Sequence, residues 1–340
     1  MIKKTYITEE AFNFEAGGSV DHLTIAYHIS KEYEPGDKVI VIFHGLTANS
    51  DPEDWWPQIV GPGKLFDTRK YFILCVNMLG SPYGTDGPTS LKEDGTPYYF
   101  DFPRFTIRDM TRASILVSEH IGIEGIDLLV GSSIGGFQAV EWAIMKPEMI
   151  KNALFIATAP RISPWLLGTI EAQRMALEAD QTFRECKSLE GGAAGLACAR
   201  AQARLSYRCH DCFNATQSEP DEDFFFATRP VTYEQHQAQK LVKRFDAYSY
   251  WYLCNAFDSH NPGRGRGGLQ KALGTISADT TVISIDTDLD FPSKEAQTWS
   301  KWIPGAKYRE IKSLYGHDGF LLEYAQLTEI IKPILEKCKF

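Results

Sequence analysis

Residues 126–145 read IDLLVGSSIGGFQAVEWAIM. The apolar run Ile126 to Val130 stops at Gly131, and a helical pattern carrying Phe137, Val140, Trp142 and Ile144 continues until Pro147. This is strand, sharp turn and helix. Two serines stand at the turn. A nucleophile turn of the form G-x-S-x-G needs a glycine two residues to each side of its serine, because the strained bend crowds its neighbours while lifting the hydroxyl above the sheet. Gly131 and Gly135 flank Ser133, whereas Ser132 is flanked by Val130 and Ile134. Ser133 is therefore the candidate nucleophile. The five-residue pattern is common by chance, and its weight here comes from the strand before it and the helix after it.

Outward from this turn, short runs rich in β-branched residues occur at Lys38 to Phe43 (KVIVIF), Tyr71 to Val76 (YFILCV), Ala153 to Ala157 (ALFIA) and Thr281 to Ile285 (TVISI). Such runs suit strands buried on both faces of a mostly parallel sheet. A helix is predicted from Thr106, whose hydroxyl caps while Asp109 reaches back. Strands alternating with helices give an α/β layered fold. The alternation breaks after Pro160. From Ser163 to about His260 the pattern is helical, opening with a serine cap and a proline in SPWLLGTIEAQRMALEA and continuing through GGAAGLACARAQARLSYRC and TYEQHQAQKLVKRF. We read residues 163–266 as a helical lid inserted into one α/β core made of residues 1–162 and 267–340. Insertions grow at the carboxyl ends of such strands, where ligands bind. A separate helical domain is the alternative reading.

A chain of 340 residues with 44% hydrophobic residues buries a sizeable core. Its formal charge of −9 speaks against a sequence-independent grip on nucleic acid, so an anionic substrate has to be met by local charge. The opening MIKKTYITEE carries no apolar segment and no run approaches a membrane span, which implies a cytoplasmic protein with no membrane partner. Seven cysteines follow no disulfide-scaffold spacing. Cys209-His210-Asp211-Cys212 lacks a second ligand pair, and no metal is expected.

A serine hydroxyl needs a base, and the base works best with a carboxylate fixing its tautomer. In this architecture they follow the serine in the order acid, then histidine. His317, in YGHDGF, is the one histidine after residue 260. The acid comes from ISIDTDLDFP, where Asp286, Asp288 and Asp290 follow one strand, and alternation along an extended chain would put all three on one side. An oxyanion hole needs two backbone N–H groups. Ile134 and Leu46, the latter in VIFHGLTAN, supply them, and His44 shapes that loop rather than acting as the base.

Longer motifs go beyond these general features: HGLTAN, WWPQIVGPGKLFDTRKYFILCVNMLGSPYGTDGPTS, FPRFTIRDM, GSSIGGFQAVEWAI, GLACARAQARLSYR, KLVKRFDAYSYWYL and YGHDGFLLE. On these, over nearly its whole length, the chain resembles the homoserine O-acetyltransferases, acyltransferases of methionine biosynthesis. The resemblance implies the α/β-hydrolase fold, a mostly parallel central sheet with helices on both faces and an inserted helical lid. It implies Ser133 as nucleophile, His317 as base and, from a motif ending D-x-L-F-P, Asp288 as acid. Asp290 stands where the family usually carries an apolar residue. Ile134 and Phe137 replace the usual methionines, and Ala48 a common glycine.

The same resemblance implies that Arg200 and Tyr207 bind the amino-acid substrate, with a bidentate guanidinium on its carboxylate, and that Asp318 holds its ammonium group. Without it, Arg200 reads as a solvated helical charge and Asp318 as a helix cap. The expected reaction moves acetyl from acetyl-CoA, a co-substrate rather than a bound cofactor, to L-homoserine through an acyl-serine, in a homodimer. Succinyl-CoA as donor, serine as acceptor, or a plain esterase or thioesterase are alternatives; a non-catalytic binding module would have lost members of the set. Arg264 and Arg266 in SHNPGRGRGG read as an exposed flexible loop, with contact to CoA phosphates at the tunnel mouth as the alternative.

Overall fold

The strand runs of the sequence assemble side by side because each is apolar on both faces. The computed structural model describes residues 1–185 and 187–337; Cys186, inside the expected lid, and residues 338–340, at the end of the expected core, lie outside them. Among the described residues one eight-stranded sheet carries the fold. Its strands are β1 (Ile2–Ile7), β2 (Thr24–Ile29), β3 (Val39–Phe43), β4 (Phe72–Val76), β5 (Leu128–Ser132), β6 (Asn152–Ile156), β7 (Asp279–Ile285) and β8 (Lys307–Ile311). Their order across the sheet is β1-β2-β4-β3-β5-β6-β7-β8. β1 and β2, and β2 and β4, pair antiparallel, and every other neighbouring pair is parallel. The antiparallel edge was not foreseen: β1 alternates exposed and half-buried positions and carries two lysines, so its apolar signal is weak.

The central strands divide their side chains between two layers, as a period of two requires. Val39, Val41 and Phe43 enter one apolar cluster, while Ile40 and Ile42 enter the other. Helices α1 (Ile107–Ile121) and α2 (Ile134–Met145) cover the first layer. α1 begins with the anticipated capping box, in which Thr106 accepts from the Asp109 N–H and the Asp109 carboxylate accepts from the Thr106 N–H.

Between β6 and β7 lie α3 (Pro164–Glu178), α4 (Ala193–Tyr207), α5 (His210–Gln217), α6 (Arg229–Val242) and α7 (Ala247–Asp258). α3 starts as read, with Ser163 capping and Pro164 at the first helical position. Cys209 in the Cys-His-Asp-Cys stretch is the cap of α5, its sulfur accepting from the Cys212 N–H at 3.4 Å. After β8, α9 (Tyr324–Lys337) follows α8 (Ser293–Trp299) and packs Leu327, Ile331 and Leu335 on the second layer. No helix among the described residues is long and apolar enough to cross a membrane.

Candidate active site

The strand of the opening stretch runs two residues further than its apolar run. β5 includes Gly131 and Ser132, because both still pair with β6. The chain then bends at Ser133, whose φ of 55° and ψ of −132° place a non-glycine residue in sparsely populated backbone space. Two accommodations hold it there. The Ser133 N–H is shared between the carbonyls of Ile156 (3.2 Å) and Ala157 (3.1 Å), and the Thr158 hydroxyl donates to the Ser133 carbonyl at 2.7 Å. The flanking glycines let backbone segments touch: a Cβ on Gly131 would lie 2.6 Å from that of Ala139, and one on Gly135 would lie 2.5 Å from the Phe43 carbonyl oxygen.

His317 reaches this serine from a short turn after β8. Its Nε2 stands 2.9 Å from Ser133 Oγ, and its Nδ1 stands 2.8 Å from Asp288 Oδ2. With Nδ1–H donating to the carboxylate, Nε2 is left to accept the serine proton. Asp288 Oδ1 accepts the N–H groups of Asp290 (2.8 Å) and Phe291 (3.0 Å), so the acid is itself held on both oxygens.

The structure separates the three aspartates. Alternation would have put them on one side, but the chain turns after Ile285, the Asp288 N–H donating to the Ile285 carbonyl at 3.1 Å. Asp286 consequently points to the β8 side, where it accepts from the Ser313 N–H and lies near Lys312. Asp290 is 3% exposed, accepts from the Ser206 hydroxyl at 3.2 Å, and leaves Oδ1 buried with no hydrogen-bond partner among the described residues. Burial pushes its carboxyl up to about 6, with the Asp288 charge adding to this against the pull of His317. On His317, burial favours the neutral ring, but the carboxylates of Asp288, Asp290 and Asp318 outweigh it and raise the ring to about 9.

Leu46 and Ile134 frame the serine. Ile134 opens α2, so its N–H is one of the donors that a helix start leaves unused. The Leu46 N–H is aimed by its neighbour. His44 Nε2 accepts from the Met78 N–H at 3.1 Å, which leaves Nδ1–H to donate to the Gly45 carbonyl at 2.9 Å. The Ala48 N–H donates to that same carbonyl. Because a trans peptide points its N–H opposite to its C=O, pinning Gly45 O fixes the direction of the Leu46 N–H. Burial depresses the His44 pKa to about 4, which keeps the ring neutral for this task.

A cavity of about 620 Å³ joins these elements, lined by Ser133, His317 and Leu46 from the core and by Arg200, Tyr207 and others from the inserted helices. Ile134 and Asp288 are buried and are not among its lining residues. Arg200 and Tyr207 share one face of α4, with the guanidinium 5.6 Å from the Tyr207 ring, and Arg200 Nε is buried with no hydrogen-bond partner among the described residues. Asp318 lines the same cavity, but its carboxylate is already bridged to Arg204 (2.8 Å) and Arg208 (3.2 Å). Sequence reasoning missed Arg204. Its signal was present, since Arg200, Arg204 and Tyr207 recur at the spacing that shares a helix face. Lys240, Arg244, Tyr83, Asn49 and Asp54 were also missed as lining residues.

Arg264 and Arg266 are ion-paired rather than free, although Arg264 stays exposed. Neither lines the cavity, and neither sits in a free loop: Arg264 pairs with Glu15 at 2.7 Å, and Arg266 pairs with the buried Glu141 at 2.7 Å. Among the described residues no group of His, Cys, Asp and Glu is placed to hold a metal ion.

The family model of the alpha/beta hydrolase fold matches residues 38–324. The chain is 41% identical to a homoserine O-acetyltransferase of Cyclobacterium marinum, over 98% of this chain and 95% of that one. It is 38% identical to that of Nostoc punctiforme, over 94% and 92% respectively. Among solved structures, a homoserine O-acetyltransferase from Bacillus anthracis superposes with a TM-score of 0.89 at 23% identity, covering 100% of this chain and 98% of that one. Esterase E22 superposes with a TM-score of 0.86 at 22% identity, covering 98% and 100%. These two structures share the fold.

Proposed function

Because the chain belongs to the alpha/beta hydrolase family and, within it, to the homoserine O-acetyltransferases, we propose that it moves the acetyl group of acetyl-CoA to the hydroxyl of L-homoserine through an acyl-enzyme on Ser133. The observation that carries this reading is the hydrogen-bonded chain Ser133–His317–Asp288, whose first two members line a cavity together with Arg200, a guanidinium with no ion pair among the described residues.

His317 Nε2 takes the Ser133 proton as Oγ attacks the thioester carbon, and the N–H groups of Leu46 and Ile134 receive the developing oxyanion. Asp288 keeps its charge and holds Nδ1–H, which stabilises the imidazolium. The C–S bond breaks, the imidazolium gives its proton to the departing thiolate, and Ser133 is left acetylated. The homoserine hydroxyl then yields its proton to His317 and attacks the acyl carbon, and the imidazolium returns that proton to Ser133 Oγ as the acyl–oxygen bond to the serine breaks, giving O-acetyl-homoserine. Arg200 takes the substrate carboxylate. Asp318 takes the ammonium group while sharing its charge with Arg204 and Arg208.

Residues 163–266 act as the lid of this reading. Their helices bring Arg200, Arg204, Lys240 and Arg244 to the cavity, where Asp54 and Asp318 are the two carboxylates of the lining. A cytoplasmic homodimer belongs to the same reading and rests on the family alone. The decisive assay follows CoA release with acetyl-CoA or succinyl-CoA, with and without L-homoserine or L-serine. Release that requires homoserine and prefers acetyl-CoA supports the proposal. Release at the same rate without an amino acid makes the protein a thioesterase on the same scaffold.

A further inference from the structure

Arg244 sits in the short link between α6 and α7, on the inserted segment, yet its contacts lie in the core. Its Nη1 donates to the carbonyl of Thr47 and to the hydroxyl of Tyr83. Thr47 follows Leu46 in the turn that begins at Gly45, where the Ala48 N–H closes onto the Gly45 carbonyl. All of these residues except His44 line the cavity of Ser133. The turn is thus gripped at two carbonyls: His44 holds Gly45 O from the core side, and Arg244 holds Thr47 O from the inserted helices.

The link that presents Arg244 is itself firmly seated. Its N–H donates to the Leu241 carbonyl at 2.9 Å. The next residue, Phe245, is buried and meets the Tyr83 ring edge-on at 5.8 Å. Asp246 caps α7 by accepting from the Ser249 N–H at 2.7 Å. An arginine extended from a seated elbow, with a planar fork that satisfies a carbonyl and a phenol together, imposes a direction that a lysine cannot reproduce.

From this geometry we infer that Arg244 is a positioning residue, through which the closed lid holds the oxyanion turn in register with Ser133. The inference rests on the acyl-transfer reading above. A lid that has moved away withdraws Arg244 and leaves the Leu46 N–H less well aimed, so acylation is coupled to closure and the thioester is attacked only when water is shut out.

The test uses the full chain and two donors, acetyl-CoA with homoserine and the small ester p-nitrophenyl acetate, which carries no phosphate. Arg244→Gln should lower the rate of Ser133 acetylation from both donors by about ten- to a hundredfold, the scale of a misaimed donor. KM for acetyl-CoA should change by less than about threefold, against the tenfold or more expected if a contact to its phosphates were lost. Arg244→Lys should recover only part of the loss, and Tyr83→Phe, which leaves the Thr47 contact in place, should show a smaller loss of the same kind. Since Arg244 is exposed, an unchanged melting temperature separates this effect from misfolding. Two results overturn the inference: an unaltered p-nitrophenyl acetate rate, or a loss confined to KM for acetyl-CoA, which would make Arg244 a contact for the donor's phosphates. Either would leave the Ser133 reading standing, because that is judged separately by whether Ser133→Ala stops acetylation.

Discussion

Ser133 Oγ and His317 Nε2 stand 2.9 Å apart across 184 residues of chain, and the serine makes this approach from a backbone conformation with φ of 55°. The strain and the contact belong together, since the bend that costs conformational energy is the one that lifts the hydroxyl to the imidazole.

Ser133→Ala should reduce acyl transfer by about four orders of magnitude or more, with no acetylated enzyme detected by mass spectrometry after exposure to acetyl-CoA. Ser133→Gly should be equally inactive but more stable than Ser133→Ala by about 1 kcal/mol, because glycine occupies that φ without steric cost. Thermal unfolding of the two variants side by side checks the strain independently of activity.

The base must be neutral to accept the serine proton. Since Asp288, Asp290 and Asp318 hold the His317 ring above its ordinary value despite burial, kcat/KM should rise with pH along a limb centred above 6.5 and toward 9. A pH–rate profile for acetyl-CoA reads this directly. A limb at or below 6 would show that burial, not the carboxylates, governs the ring.

Asp290 is a buried carboxyl with one partnerless oxygen, so removing its charge should both stabilise the protein and ease deprotonation of His317. Asp290→Leu should keep acyl-transfer activity and move the rising limb set by His317 to lower pH. Its folded pKa lies above the unfolded value. The wild type therefore loses stability, relative to the variant, as pH rises from the unfolded range near 4 through about 6. The gain for Asp290→Leu should be about 1 to 3 kcal/mol at pH 8 and largely absent near pH 4, measured by denaturant titration at both values.

Arg200 has no ion pair among the described residues and faces the cavity with Tyr207. Arg200→Ala should raise KM for homoserine by about ten- to a hundredfold, the scale of one lost charge-assisted pair, while acetylation of Ser133 in the absence of homoserine stays within about twofold. Arg200→Lys should recover little, because an ammonium offers no parallel pair of donors. Equal effects on the two half-reactions would remove Arg200 from the acceptor site.

The sequence by itself determined the elbow at Ser133, the capping box at Thr106, the start of the inserted helices at Ser163-Pro164 and the α/β class. All of these follow from spacing within a few residues: strand and helix periods, a glycine on each side of a serine, a hydroxyl before a helix. Only the tertiary structure decided that Asp288 faces His317 while Asp286 turns away, that Asp318 is shared with Arg204 and Arg208, that Arg264 and Arg266 serve Glu15 and Glu141, and that Arg244 grips Thr47. Those relationships join residues far apart in the chain. They depend on where a strand ends and how the next turn bends, and local periodicity carries no record of the distance between two side chains that folding brings together.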